Sequence, residues 1–113
     1  MNPLRKIRLQ NAIRLLISQI IRRHIDDPRL GFITLTDVQI SKDDKYAFVY
    51  YSVIGSEEQR ESTQKVLSAA SKKITKLLYQ ELDVRALPML RFKFDETPSK
   101  AERIEKTFKD EDA

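Results

Sequence analysis

The order of patterned segments predicts an α+β two-layer sandwich: helix, strand, strand, helix, strand, with a three-stranded sheet covered on one face by two long helices. Three observations carry this. Apolar residues recur at three- and four-residue spacing over 3–26 and again over 56–82. Two runs rich in β-branched and aromatic residues, 32–40 and 46–54, lie between them, joined by a short polar loop. A third run, 89–95, alternates apolar with basic residues.

In the first helix Leu9, Ile13, Leu16, Ile17 and Ile20 form one face, and Asn11, Arg14, Ser18 and Arg22 the opposite one. Pro3 suits a first helical turn. Pro28 stops the helix and pushes Asp27 out of helical angles. The strand "FITLTDVQI" follows, then the hairpin loop "SKDDK", then "YAFVYYSVI", closed by Gly55. Ser56 can cap the second helix, with Glu57 and Glu58 at its positive end. Val66, Ala70, Ile74, Leu77 and Leu78 form its buried stripe. In the last strand Leu90, Phe92 and Phe94 face the core, while Arg91 and Lys93 face away. Residues 97–108 suggest a short amphipathic C-terminal helix holding Ile104 and Phe108, followed by a disordered tail. The expected division is a domain over 1–96 and this helix and tail over 97–113.

The 113 residues suit one domain. With no cysteine and a single histidine, His24, disulfides, thiol chemistry and multi-histidine metal sites are excluded. Only Gly31 and Gly55 are present, so there is no Gly-rich phosphate loop. No nucleophile sits in a recognisable elbow. The pairs Asp26 with Asp27 and Asp43 with Asp44 lie at chain reversals, where Asp commonly satisfies backbone donors. His24 is read as a favourable charge at a helix end. Nothing argues for an enzyme or a cofactor. No apolar run approaches the roughly 18–20 residues of a membrane span, and the start lacks the apolar region of a secretory signal. It shares an Arg-rich, acid-poor character with mitochondrial targeting helices, but its wide apolar face and scarcity of serine fit a core helix.

The basic residues remain. The net charge is +4 and the pI near 9.4, which favours an anionic partner. Residues 1–26 hold six Lys or Arg against one acid, Asp26. Lys65, Lys72 and Lys76 are spaced seven and four residues apart and project from one side of the second helix, with Lys73 beside them. Helix-end electrostatics accounts for some of these lysines but not for Lys65 or the first helix. Nucleic acid is favoured over membrane. Tyr46, Phe48, Tyr50 and Tyr51 are read as core and sheet residues, since no RNP-like motif accompanies them.

The ordered set "DPRLG" (27–31), "SKDDKYAFVYYSV" (41–53) and "VRALPMLRFKFDET" (84–97) resembles the signatures of the ribosome-binding factor A family. The match runs over nearly the whole chain. The resemblance implies a type II KH-like fold, and a monomeric cytoplasmic assembly factor that binds the immature small ribosomal subunit and its ribosomal RNA. It implies a role in late rRNA processing and cold adaptation, with no catalysis and no cofactor. It also implies a kink in the second helix, at Ala70 and Ser71, with Lys72 where that family has glycine. The RNA-binding candidates are Lys65, Lys72, Lys73, Lys76, Arg8, Arg14, Arg22, Arg29, Arg85, Arg91 and Lys93. Arg29 has two readings, as ion-pair partner of the neighbouring aspartates or as a phosphate contact, the first slightly preferred. The alternative from another class is a protein-interaction domain that sets the basic first helix against an acidic partner, without RNA.

Overall fold

Asn2 starts the first helix: its side-chain oxygen accepts the amides of Leu4 (2.9 Å) and Arg5 (3.4 Å), and Pro3 occupies the first turn. The computed structural model describes residues 1–82 and 86–96. The helix and tail expected over 97–113 therefore lie outside the described residues. The elements run α1 (Pro3–His24), β1 (Phe32–Ile40), β2 (Tyr46–Ile54), α2 (Glu57–Glu81) and β3 (Met89–Phe94). α1 stops two residues before the expected end. Ile25 adopts extended angles while its N–H still reaches the Ile21 carbonyl at 3.2 Å, and its side chain packs on the core.

β2 is the central strand, antiparallel to β1 and parallel to β3. The parallel pair requires a crossover, which α2 provides. Alternate residues of β2 (Ala47, Val49 and Tyr51) point to one face, joined by Leu35, Val38 and Ile40 of β1 and Leu90 of β3. Ile13, Ile17, Ile20 and Ile21 of α1 and Leu67, Ile74 and Leu78 of α2 close the same cluster. Both helices thus cover one face of the sheet, as expected. Leu35 and Val38 both point inward although they are three residues apart, because the register shifts between Leu35 and Asp37. The Asp37 carboxylate holds this bulge, accepting from the Val38 amide at 2.8 Å and the Gln39 side chain at 2.7 Å.

The β1–β2 loop is closed by its own side chains. The Ser41 hydroxyl donates to Asp43 at 2.6 Å and accepts from the Tyr46 amide at 3.0 Å. Asp43 also accepts from the Lys45 amide at 3.1 Å, and these hydrogen bonds, the Ser41 one foremost, lower its pKa. After β2, Gly55 has a φ of 151°, where a side chain would collide with Gln59. Gln59 is needed there because it completes a capping box: the Ser56 oxygen accepts the Gln59 amide at 3.3 Å, and the Gln59 side chain accepts the Ser56 amide at 2.7 Å.

At the same end of β2, Arg60 lies 3.7 Å above the Phe94 ring and ion-pairs with Glu96, tying the start of α2 to the end of β3. The Tyr79 hydroxyl donates to the Leu87 carbonyl at 3.3 Å and accepts from the Leu87 amide at 2.9 Å. That pair fixes the approach to β3.

Ile17 is fully buried between helix and sheet. Ile17→Ala should cost about 2–5 kcal/mol through cavity formation. A Cβ added at Gly31 would stand 3.1 Å from a Val53 methyl and 3.3 Å from the Thr63 hydroxyl. Gly31→Ala should therefore cost about 1–3 kcal/mol by overpacking. Equilibrium denaturation with urea measures both, and a loss under about 0.5 kcal/mol in either would contradict the packing described.

Candidate nucleic-acid interface

The turn between α1 and β1 is built around Asp27. Its carboxylate accepts from the Arg29 amide at 2.9 Å, Arg29 Nε at 3.1 Å and Arg29 Nη2 at 2.8 Å, while its carbonyl accepts the Leu30 amide at 3.0 Å. The guanidinium and amide of Arg29 pull the Asp27 pKa down to about 2. Leu30 packs against the core. The Gly31 amide donates to Thr63 Oγ1 of α2 at 3.0 Å. Arg29 thus has a structural job, the first of its two readings, although its side chain remains 63% exposed.

The cationic candidates fall into three groups. Lys65, Lys72 and Lys76 are exposed on α2, and among the described residues none pairs with a carboxylate. Lys73 differs from its neighbours, since its ammonium donates to the His24 carbonyl at 3.1 Å. It caps the C-terminal end of α1 and joins the two helices. α2 is α-helical throughout Glu57–Glu81, so no break in the helix marks Ala70, Ser71 and Lys72. One turn on, the Thr75 hydroxyl donates to the Ser71 carbonyl at 2.8 Å.

The second group lies on α1, where Arg8, Arg14 and Arg22 are all exposed. Arg14 and Arg22 form one wall of a groove of about 500 Å³ whose other wall is the first half of β1; Ile21, Ile25, Leu30 and Leu35 give it an apolar lining. A smaller groove of about 440 Å³ adjoins the Asp27 turn and the first turns of α2. Phe32 lines both. It is 82% exposed, and its cross-strand partner Ile54 is 76% exposed. The inward residues Ile33 and Leu35 imply by alternation that Phe32 and Thr34 face out, so the signal was available in the sequence.

Arg91 and Lys93 form the third group, on the sheet face away from the helices. Arg91 lies 5.4 Å from the Tyr46 ring centroid and Lys93 4.4 Å from that of Phe48. Tyr46 and Phe48 stack 6.2 Å apart, and Phe48 is only 7% exposed. A ring as buried as that of Phe48 is unavailable for base stacking, and of the four aromatics in β2 Tyr51 belongs to the core cluster. Arg85 lies outside the described residues. Among the described residues, no group of three His, Cys, Asp or Glu could hold a metal ion, and no helix is long and apolar enough to cross a membrane.

Comparison with known proteins gives a consistent result. A family model described as "Ribosome-binding factor A" matches residues 5–108. The chain is 37% identical over 112 residues to ribosome-binding factor A of Kocuria rhizophila, covering 96% of this chain and 73% of that protein. The crystal structure of ribosome-binding factor A from Thermus thermophilus superposes with a TM-score of 0.68 at 28% identity, over 78% of this chain and 93% of that one. A homology model of the Thermus thermophilus factor, fitted into a cryo-EM map of its complex with the 30S subunit, matches with a TM-score of 0.60 at 27% identity, over 83% of this chain and 96% of that one.

The turn can be tested by titration. Asp27 has a folded pKa below its unfolded value, so its contribution to stability is present above the ordinary carboxylate range and is lost as pH falls towards about 2. Carboxyl chemical shifts should show Asp27 titrating near 2 in the parent and at a higher pH in Arg29→Ala, still below the ordinary carboxylate value because the amide of residue 29 keeps donating. Lys73→Ala should lower stability by about 0.5–1 kcal/mol, because the His24 carbonyl then has no ammonium donor. Lys72→Ala should change it by less than about 0.5 kcal/mol.

Proposed function

The chain belongs to the ribosome-binding factor A family, and from that premise we propose that it binds the immature small ribosomal subunit through small-subunit ribosomal RNA. It assists late maturation and rRNA processing as a cytoplasmic, non-enzymatic factor without a cofactor, a role that matters most in the cold. The observation that carries this reading is the line of Lys65, Lys72 and Lys76, exposed along α2 with no acidic partner among the described residues. Such lysines contact phosphates and supply affinity without base specificity. Arg8, Arg14 and Arg22 extend the positive surface onto α1. The relative fitted into a map of its 30S complex supports the choice of the small subunit.

One observation favours a second reading. Leu4, Ile7 and Leu15 are 57%, 52% and 56% exposed on α1 among its arginines. A helix of this kind could meet an acidic protein partner instead of RNA.

Salt dependence and binding to free RNA together test the two. Binding to purified small subunits, measured by co-sedimentation, should weaken so that log affinity falls against log salt by roughly 0.7–0.9 for each phosphate neutralised. Replacing Lys65, Lys72 and Lys76 together by Ala should leave the melting temperature almost unchanged. The same replacement should reduce the salt slope by about one unit for each phosphate that is no longer neutralised. A flat salt dependence would exclude the phosphate contact, and binding to small subunits but not to their deproteinised RNA would promote the protein-partner reading.

A further inference from the structure

The Phe32 side chain lies outside the core cluster. It is the most exposed large hydrophobic side chain among the described residues, and it stands between two grooves with Ile54 beside it. We propose that the groove between α1 and β1 holds a single-stranded RNA segment, with one base stacked on Phe32 and the flanking phosphates held by Arg14 and Arg22. The inference rests on the RNA-binding reading above and adds to it a second site, apart from the α2 lysines, with its own chemistry.

Three features point to this occupant. The first is charge. Arg14 and Arg22 stand two helical turns apart on the groove wall, about 12 Å along the axis, and neither has a carboxylate partner among the described residues. The second is the combination of a solvent-facing ring with an apolar lining beneath those arginines. A backbone-tracking positive wall and an aromatic platform are what sequence-tolerant single-strand recognition requires. The groove's volume of about 500 Å³ lies within the roughly 300–1,000 Å³ of small-ligand clefts.

The third feature weighs against an acidic peptide. Such a peptide would add as a strand along the outer edge of β1. That edge is blocked at its far end, where the Ile40 amide donates to the Gln10 side chain of α1 at 2.9 Å. The bulge after Leu35 bends the strand before that point. Only residues 32–35 precede the bulge, shorter than the usual strand of about 5–6 residues.

The test uses the full chain and its Phe32→Ala, Phe32→Trp, paired Arg14→Ala with Arg22→Ala, and Lys65, Lys72, Lys76→Ala variants. Each is titrated against purified small subunits and against deproteinised small-subunit RNA. Phe32→Ala should weaken binding to both by about tenfold, the loss of one stacked base. Its melting temperature and salt slope should match the parent's, and Phe32→Trp should restore affinity. The arginine pair should lower the salt slope by about two units.

If Phe32→Ala binds like the parent while the lysine variant is weakened, the groove site is overturned and the function proposed for α2 stands. Weakening on subunits but not on deproteinised RNA would make a protein the occupant and would also overturn it. Failure of the parent itself to bind small subunits would remove both readings together.

Discussion

The hydrogen bond from the Gly31 amide to the Thr63 hydroxyl, 3.0 Å long and closed off by Val53, is the joint on which this structure depends. It is the point where the chain leaving α1, the start of β1 and the second turn of α2 come together. Thr63 is fully buried, so its hydroxyl needs a partner, and an amide at the head of an edge strand needs an acceptor. Each group satisfies the other, and a Cβ on residue 31 would press on the Val53 methyl at 3.1 Å and the Thr63 hydroxyl at 3.3 Å. The Asp27–Arg29 pair just upstream shapes the turn so that Leu30 enters the core and Gly31 arrives against α2. Lys73 adds a second tie between the helices at the His24 carbonyl. The groove between α1 and β1 lies beside these contacts, and at its far end the Gln10 side chain ties α1 directly to β1 by accepting the Ile40 amide.

Much of the fold was legible because local and tertiary demands agree. Both strands of the hairpin span the residues that β-branched and aromatic content marked, and the Ser56 cap lies where the pattern placed it. What escaped has physical causes. Leu67 is fully buried and missing from the expected stripe. Two helices and a sheet meet over α2, so its buried arc is wider than a single three-to-four-residue line. The bulge after Leu35 shifts the inward residues by one, and no alternation rule detects an extra residue that an aspartate side chain supports.

The candidate site was legible in charge and not in partnership. Composition and spacing identified the cations, but spacing alone could not separate Lys73, which caps a helix, from Lys72, which faces water. Nor could it divide the cations among the α2 line, the α1 groove and the open sheet face. Arg29 shows the limit most clearly. The same guanidinium fits a phosphate or a carboxylate, and only the turn geometry reveals that Asp27 already occupies it. Phe32 escapes a reading by residue type because aromatic residues in strands are usually core, as Tyr51 of β2 is.

The unbroken helix at Ala70, Ser71 and Lys72 bears on what kind of binding this surface can support. A glycine at position 72 would loosen the backbone and carry no charge. Lysine there does the reverse: it favours helix and sets a cation about 10 Å along the axis from Lys65 and about 6 Å from Lys76. The helix fixes where the side chains are rooted, while each ammonium keeps its freedom on a flexible stem. Phosphates can then be met at varied positions along a backbone, with counterion release as the driving force and little demand on base identity. Binding of that kind is readily reversible.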